Sequence, residues 1–170
     1  MDDVLARRML VKASGIDAGR ALDVGMGDCA CMSFLLAAEG FDVIGVDRSS
    51  HAVHVARQAA RGRRFPGNFQ ARRADAERLP FEDGQFDVVL AYRALHHAKN
   101  AEQVVREMHR VCRKGGAMLL ADLNDRGRRE VGHQPDNGRF IARIGRVLGE
   151  LCAKAKIMDT SRNVMFVCRK

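Results

Sequence analysis

The chain has 170 residues, of which 46% are hydrophobic, and its 29 Lys and Arg against 21 Asp and Glu give a net charge of +8. This length and composition suit one globular domain over residues 1–170, and no apolar run approaches the ~20 residues needed to cross a bilayer. No basic stretch precedes an apolar segment near the first residue, so the expected location is the cytoplasm. Five cysteines without metal-ligand spacing then predict free, buried thiols and no metal site.

A predicted short helix over residues 2–14 precedes the stretch on which the functional prediction depends. The side chains expected on the buried side of that helix are Val4, Leu5, Met9 and Leu10. The run from Arg20 to Val24 is predicted as a buried strand, and Gly25 and Gly27 follow it. A helix is expected to begin at Asp28, which completes the strand, glycine turn and helix of a nucleotide-binding unit. Gly25 permits a turn that a Cβ would block, and Gly27 lets a ligand lie against bare backbone.

Carboxylates accompany the ends of three successive predicted strands. Asp23 lies in the first strand, Asp47 ends the second strand over residues 41–47, and Asp75 follows the third strand over residues 68–74. An acid at the end of the second strand of a nucleotide-binding βαβ unit accepts hydrogen bonds from ribose hydroxyls. Because ligands of parallel α/β sheets bind at the carboxyl ends of the strands, the three carboxylates are expected at one site.

The remaining segments continue the alternation of strands and helices. Helices are predicted from Ser49 or Ser50 to about Gly62, from Asn100 to Gly115-Gly116, and over residues 140–151. Further strands are predicted over residues 86–92, 117–123, 154–159 and 163–169. The polar residues 124–137 carry little signal beyond a helical turn near residues 128–132. This order predicts an α/β fold with a Rossmann-like, doubly wound, mostly parallel sheet of about seven strands and a C-terminal antiparallel hairpin.

Several short motifs occur in a fixed order along the chain. They are residues 22–27 (LDVGMG), 46–47 (VD), 75–81 (DAERLPF), 86–89 (FDVV), 95–97 (LHH) and 110–116 (RVCRKGG). In these residues the chain resembles the class I S-adenosylmethionine-dependent methyltransferases, above all the branch that includes the ubiquinone/menaquinone-biosynthesis methyltransferases. The resemblance covers about residues 20–123, and the two late strands match the final hairpin of that family. It implies S-adenosylmethionine as the cofactor and methyl transfer to an unidentified acceptor as the reaction.

The resemblance also assigns roles to single residues. At the cofactor these are Asp23, Gly25 and Gly27 at the methionine end, Asp47 at the ribose, Arg48, Asp75 and Ala76 at the adenine, and Ala91 and Tyr92 beneath the sulfonium. If the acceptor must lose a proton, the nearest candidate catalytic bases are Tyr92, His96 and His97, since a histidine pKa suits neutral pH. The competing interpretation gives each histidine a packing role in its loop. Neither interpretation requires a metal.

The expected acceptor is a small molecule, because no recognition domain accompanies the motifs. The segments that often form the substrate lid are short, so a second subunit of a homodimer could complete the acceptor site. The densest basic run invites a nucleic-acid partner and consists of Arg57, Arg61, Arg63, Arg64, Arg72 and Arg73. Nucleic acid is not favoured, since other basic residues are scattered and the chain has no Trp and one Tyr to stack on bases.

Two other functions fit parts of the pattern. The glycine turn also matches the G-x-G-x-x-A motif of NAD(P)-dependent oxidoreductases. Against that function, Asp23 puts a carboxylate where a dinucleotide pyrophosphate would need positive potential, and Asp75 has no role there. The second alternative is a cofactor-binding scaffold without catalysis, which the short lid segments would allow.

Overall fold

The computed structural model describes residues 3–152 and 154–170 of the chain. Its helices are α1 (Asp3–Ala13), α2 (Cys31–Ala38), α3 (Ser50–Ala60), α4 (Ala101–Val111), α5 (Asp125–Glu130) and α6 (Arg139–Leu151). Its strands are β1 (Arg20–Val24), β2 (Asp42–Asp47), β3 (Asn68–Arg73), β4 (Phe86–Tyr92), β5 (Cys112–Leu123), β6 (Ala155–Asp159) and β7 (Asn163–Arg169). All seven strands form one sheet in the order β3-β2-β1-β4-β5-β7-β6.

Strands β1 to β5 pair in parallel, whereas β7 is antiparallel to both of its neighbours, β5 and β6. This confirms the predicted Rossmann-like α/β sheet and its C-terminal hairpin. The strand order reverses between β1 and β4, because the chain returns to the middle of the sheet after β3. Such a switch point opens a crevice at the carboxyl ends of the strands. The crevice therefore lies at the ends of the strands that carry or precede Asp23, Asp47 and Asp75.

Helices cover both faces of the sheet, and the side chains of the central strands point alternately into the two layers. Leu22 and Val24 of β1 lie in a core shared with α4 and α6. Ala21 of the same strand lies in the second core, with residues of α1 and α2. In β4, residues 88–91 are fully buried, which explains the unbroken apolar run in the sequence. Within the described residues, no helix combines the length and the apolar character needed to cross a membrane.

Helix α1 packs by a different face from the predicted one. The predicted inward residues Val4, Leu5 and Met9 are 53%, 51% and 41% exposed. The buried side is formed instead by Ala6, Leu10 and Val11, at no more than 6% exposure. The prediction for this helix was wrong in three of four residues because it followed the largest side chains. The small Ala6 and its neighbours on the same face make the contact with the sheet and with α2.

Two helix boundaries also differ from the predicted ones. Helix α2 begins at Cys31 rather than at Asp28, because the chain continues through a turn in which Ala30 has a φ of +43°. Helix α4 ends at Val111, and β5 begins directly at Cys112. The glycine pair that was expected to end α4 therefore lies inside the first part of β5, where the pairing with β4 shifts its register.

Two cysteines are paired, contrary to the expectation of five free thiols. Cys152, directly after α6, and Cys168 of β7 form a disulfide with Cα atoms 5.9 Å apart. Closing a loop over this separation of 16 residues contributes about 3 kcal/mol to stability if the effect is entropic. The disulfide fastens the end of α6 to the sheet. Cys29, Cys31 and Cys112 are free.

Candidate functional site

A cavity of about 450 Å³ opens at the carboxyl ends of β1, β2, β3 and β4. The residues singled out from the sequence that line it are Asp23, Gly25, Gly27, Asp47, Arg48, Asp75, Ala76, Tyr92 and His97. Ala91 and His96 do not line it, since Ala91 is fully buried in β4 and the side chain of His96 is only 8% exposed. The structure thus brings nine of these residues into one cavity and leaves two outside its lining.

The glycine turn after β1 forms one wall of the cavity. Gly25 has a φ of +74°, and a Cβ built on it would lie 2.5 Å from the Cβ of Ala94. Only glycine therefore fits this position without a shift of the neighbouring loop. Gly27 has a φ of +64°, and a Cβ there would meet no atom within 4 Å. The open space beside Gly27 is accessible to a ligand that lies against the backbone.

The amide groups of the turn are bonded within the protein. Gly25 N and Met26 N both donate to Val46 O, at 2.9 and 3.1 Å. Gly27 N donates to Asp47 Oδ2 at 3.1 Å. A turn that cradles a phosphate needs amides that point at the ligand. The three amides from Gly25 to Gly27 are used by β2 and its terminal carboxylate, so this part of the turn does not offer a phosphate cradle.

Asp47 is held at the end of β2 by both of its carboxylate oxygens. Besides the bond from Gly27, Ser49 N donates to Asp47 Oδ1 at 2.9 Å. Ser49 in turn caps α3, because its Oγ accepts a hydrogen bond from Ala52 N at 3.1 Å. Each carboxylate oxygen has a second lone pair. Asp47 can therefore accept hydroxyl hydrogen bonds from a ligand while the protein keeps it fixed.

Asp23 is buried in the wall of the cavity, with 1% of its surface exposed. Ser33 of α2 donates a hydrogen bond from Oγ to Asp23 Oδ2 at 2.6 Å. Burial raises the pKa of Asp23 to about 6, and Asp47 adds to the rise, whereas Ser33 and Arg7 oppose it. A nearby cation stabilises the charged form of a carboxyl group and so lowers an elevated pKa. The environment of Asp23 therefore favours a positively charged ligand group.

The loop after β3 places two further carboxylates beside the cavity. Asp75 Oδ1 accepts a hydrogen bond from Glu77 N at 3.0 Å, which shapes a tight turn. Glu77 Oε1 accepts from Asn100 N at 2.9 Å, next to the start of α4. Ala76, between the two acids, is partly buried and lines the cavity. This loop is consequently anchored to α4, and Asp75, Ala76 and Glu77 all line the cavity.

A buried histidine–aspartate pair lies next to the cavity. His96 belongs to a single turn of 3-10 helix after β4, and its Nδ1 is 2.6 Å from Oδ1 of Asp122 in β5. The amide of His96 also donates to Asp122 Oδ2, at 3.2 Å. A neutral imidazole that donates from Nδ1 accepts at Nε2. Asp122 therefore fixes both the position and the tautomer of His96.

His97 follows in the same turn and does line the cavity. Its ring centroid is 4.0 Å from that of His96 and 6.0 Å from that of His133. Partial burial and these two neighbouring rings lower the pKa of His97 below its usual 6.5, against the opposite influence of Asp122. His97 is therefore mostly neutral at pH 7 and can accept a proton.

Residues 124–137, which carry little secondary-structure signal, bring His133 close to His96 beside the cavity. They contain α5, whose first turn is capped by Asn124, with Oδ1 accepting from Gly127 N at 2.9 Å. Asn124 Nδ2 also donates to Thr160 O at 3.0 Å, so the segment is held against the turn between β6 and β7. His133 follows α5, with its ring centroid 5.4 Å from that of His96.

Comparison with known proteins places the chain in a family. A family model described as a methyltransferase domain, of type 11, matches residues 22–120, more than half of the chain. The chain belongs to the class I S-adenosylmethionine-dependent methyltransferases. Over 134 residues, this chain is 32% identical to the ubiquinone/menaquinone biosynthesis C-methyltransferase UbiE of Azotobacter vinelandii. The match covers 73% of this chain and 53% of UbiE, so the chain spans about half the length of the curated relatives it matches.

Solved structures share the fold of this methyltransferase-family chain at lower sequence identity. A putative S-adenosyl-L-methionine-dependent methyltransferase of Methanococcus maripaludis has a TM-score of 0.79 and 20% identity, over 98% of this chain and 84% of that one. A SAM-dependent methyltransferase of Aquifex aeolicus has a TM-score of 0.77 and 16% identity, over 95% and 88% of the two chains. These similarities support the α/β architecture of the methyltransferase fold.

The cavity of this methyltransferase-family chain also contains a cation that the sequence interpretation missed. Arg7 of α1 lines the cavity, with its guanidinium carbon 5.1 Å from the centroid of the Tyr92 ring. Its Nε is buried and has no hydrogen-bond partner among the described residues. Arg7 precedes Leu10 and Val11 by three and four residues, so the helical period puts it beside the buried face. Correct assignment of the buried face of α1 would have predicted that Arg7 lies beside that face.

Proposed function

We propose that this domain is an S-adenosylmethionine-dependent methyltransferase that acts on a small molecule. The observation that carries the proposal is the meeting of Asp23, Asp47 and Asp75 around a turn with open glycine backbone. An adenosyl group offers hydroxyl and amine donors, and a sulfonium amino acid carries positive charge, which carboxylates suit. When bound, the cofactor supplies an electrophilic methyl group for the acceptor.

The side chains at the ends of β2 and β3 would hold the adenosyl part. Asp47 has lone pairs for the ribose hydroxyls, and its carboxylate is kept in place by hydrogen bonds from the amides of Gly27 and Ser49. Asp75 and the backbone of Ala76 suit the donor and acceptor edge of the adenine. Arg48 lines the same end of the cavity and can pack on the base. Ala91, buried in β4, would support the surface beneath the sulfonium.

Arg7 and Asp23 would recognise the amino-acid part. An α-amino acid carries a carboxylate and an ammonium group, and the two residues supply the opposite charges. The buried Nε of Arg7 gains a partner on binding, which removes a desolvation cost. The ammonium group would lower the raised pKa of Asp23 and keep that side chain ionised. The cavity is therefore suited to a zwitterion at this end.

His97 is the group that we assign as the base for an acceptor that loses a proton. It lines the cavity, and its lowered pKa keeps it neutral at pH 7. His96 and Asp122 would act as positioning residues. The ring of His96 contacts the ring of His97, and Asp122 fixes the tautomer of His96. A small-molecule acceptor is favoured because the matched relative UbiE is a C-methyltransferase of quinone biosynthesis.

An NAD(P)-dependent oxidoreductase fits this cavity less well. A dinucleotide pyrophosphate binds amides at the glycine turn and favours positive potential. Here the Gly27 amide is bonded to Asp47, and Asp23 adds a carboxyl group beside the turn. The negative groups that suit an adenosyl sulfonium therefore disfavour a pyrophosphate.

Calorimetry with S-adenosylhomocysteine and with NADH tests the cofactor. We expect S-adenosylhomocysteine to bind and NADH to give no heat. Gly27→Ala and Gly40→Ala form a matched pair, because both place a Cβ in open space at a positive φ, and only Gly27 lines the cavity. Only Gly27→Ala should weaken S-adenosylhomocysteine binding. NADH binding without S-adenosylhomocysteine binding would contradict the proposal.

Catalysis needs a separate measurement. S-adenosylmethionine labelled in its methyl group is incubated with the domain and the small-molecule fraction of a cell extract. Label in a new small molecule is the expected result. If S-adenosylhomocysteine binds and no fraction of the extract accepts the label, the domain is a cofactor-binding scaffold instead.

A further inference from the structure

The net charge of the chain is concentrated in one segment. Residues 48–74 contain seven arginines and no acidic residue or lysine, so they account for seven of the eight net positive charges. We call these seven side chains the arginine surface: Arg48, Arg57, Arg61, Arg63, Arg64, Arg72 and Arg73. All seven residues are exposed. The rest of the chain is close to neutral, and six of the seven arginines form the densest basic run of the sequence.

The fold gathers this segment at one edge of the molecule. It comprises α3 and β3, and β3 is an edge strand of the sheet. Arg57 ties the two elements together, because its Nε and Nη2 donate to Ala71 O at 3.0 and 2.8 Å. A groove of about 330 Å³ between α3 and β3 is lined in part by Arg57, Phe69 and Arg72. Arg57 and Arg72 therefore line the groove, and the other five arginines belong to the same segment of the chain.

The charges of the arginine surface are not compensated within the protein. Arg57, Arg72 and Arg73 donate to carbonyl or amide oxygens, which carry no net charge. Over residues 3–152 and 154–170, none of the seven arginines forms an ion pair with a carboxylate. Elsewhere arginines do find acids: Arg110 pairs with Asp83 and Glu107. The surface thus keeps its positive potential for an external anion.

We propose that the arginine surface binds the phosphate backbone of single-stranded RNA. Guanidinium groups bind phosphate through paired hydrogen bonds, and seven of them on one segment, two of them lining a groove, suit a chain of phosphates. Phe69 is partly exposed in the groove and offers a ring on which an unpaired base can stack. A duplex hides its bases, so the single strand fits this groove better.

An anionic membrane fits the same surface less well. Basic membrane-binding surfaces insert exposed apolar side chains beside their charges. The exposed large apolar residues among the described part of the chain are Val4, Leu5, Met9, Val131 and Ile157, and none lies within residues 48–74. The segment therefore has the charge of a membrane-binding surface without its apolar anchors.

The arginine surface also reaches the cavity. Arg48, at its first position, lines the cavity as well. Arg73 Nε donates to Arg48 O at 3.1 Å, which joins the end of β3 to the cavity rim. RNA bound along the groove would reach the rim of the cavity. This inference does not depend on the proposed methyl transfer, because binding is measured without cofactor or turnover.

Fluorescence anisotropy with a labelled 20-nucleotide single-stranded RNA of mixed sequence tests the proposal at several salt concentrations. The arginine-surface variant carries Arg61→Gln and Arg64→Gln. The control variant carries Arg139→Gln and Arg146→Gln, at exposed positions of α6. Both pairs remove the same charge. If each lost arginine removes one phosphate contact, the salt slope of the arginine-surface variant falls by about 1.4. Extrapolated from equal binding at 1 M salt, that variant binds about 25-fold more weakly at 0.1 M salt. The control should bind like the unmodified protein.

Several results would overturn the proposal. Equal losses in both variants would mean that overall charge, not the arginine surface, attracts RNA. Affinity that does not change with salt would exclude phosphate contacts. Tighter binding to single-stranded DNA of the same sequence, or to phosphatidylserine vesicles, would assign the surface to another partner. Absence of RNA binding by the unmodified protein at 50 mM salt would end the proposal while leaving the methyltransferase assignment untouched.

Discussion

The two sides of the cavity are built in different ways. On the adenosyl side, Asp47 and Asp75 lie at strand ends, and each accepts a hydrogen bond from an amide two residues further along the chain. On the other side, His96 is held by Asp122, 26 residues away, and Arg93 Nε donates to Asn163 Oδ1 across 70 residues. The two carboxylates of the first side are fixed chiefly by local turns, with one further bond to Asp47 from Gly27 N, 20 residues away. The other side is held by segments that meet only in the folded chain.

In the proposed assignment, this difference separates the residues that would bind the cofactor from those that would meet the acceptor. Local turns form the same way wherever a strand of the sheet ends, so they suit a cofactor that a whole family shares. Contacts between distant segments change when an insertion or a terminal helix changes. In the proposed assignment, the acceptor side of this chain, with the two histidines and the segment around α5, is therefore the side on which its own specificity would depend.

The largest effect that we predict is on the adenosyl side, for Asp47→Asn. In the proposed binding mode, this change removes the charge from the hydrogen bonds that Asp47 would accept from two ribose hydroxyls, and it weakens the bond from Gly27 N. Charge-assisted hydrogen bonds contribute about 1.5–3 kcal/mol each, so S-adenosylhomocysteine affinity should fall by about a hundredfold or more in calorimetry. Asp42→Asn, at the opposite end of the same strand, is the control and should leave the affinity unchanged. Equal affinities of the two variants would contradict the assignment of Asp47.

The same contrast explains what the sequence could predict. Gly25, Asp47 and Asp75 were found because strand ends and glycine turns have a signature within a few residues. Arg7 and His133 were missed because they reach the cavity only through packing of α1 and of the segment after α5. The disulfide between Cys152 and Cys168 was missed for the same reason, since spacing along the chain does not show which cysteines meet.

A second prediction concerns the folding stability that is lost because the charge of Asp23 is buried. Its pKa of about 6 is raised by burial, so the folded state binds the proton more tightly than the unfolded state, whose aspartate titrates near 3.9. The contribution of Asp23 to the free energy of unfolding therefore decreases as the pH rises from about 4 to 6 and stays lower above 6. Asp23→Asn removes this penalty and should gain about 2–3 kcal/mol at pH 8 in urea denaturation, with little gain at pH 4.

The same variant should bind S-adenosylhomocysteine more weakly at pH 8, because the ammonium group loses its charged partner. Stabilisation together with weaker binding is the expected combination, and each part is measured independently. Ser33→Ala serves as the comparison, since it removes the hydrogen bond to Asp23 and keeps the carboxyl group. A variant Asp23→Asn that is less stable than the unmodified protein at pH 8 would show that burial does not penalise this charge.

A third prediction concerns the histidine side, for Asp122→Asn. Asp122 raises the pKa of His97, so its removal should lower that pKa further and move the acidic limb of kcat/KM to lower pH. Because His96 also loses its fixed tautomer, kcat should fall about thirtyfold, less than the 10²–10⁴ of a lost base. Histidine proton shifts in NMR report the pKa without an acceptor. Asp159→Asn, in β6, is the control. If Asp122→Asn lowers kcat without changing the pH profile, Asp122 has only a packing role.

The smallest predicted effect tests whether α1 belongs to the cofactor site. Arg7→Met keeps the apolar stem and removes the guanidinium, so S-adenosylhomocysteine affinity should fall about tenfold, the cost of one charge-assisted hydrogen bond. Arg8→Met is the matched control, because Arg8 is the next residue of the same helix and is exposed. A second ligand separates carboxylate recognition from a general loss of charge. Adenosine lacks the amino-acid part, so both variants should bind it like the unmodified protein, whereas a loss for adenosine would mean that Arg7 supports the cavity and does not hold the carboxylate.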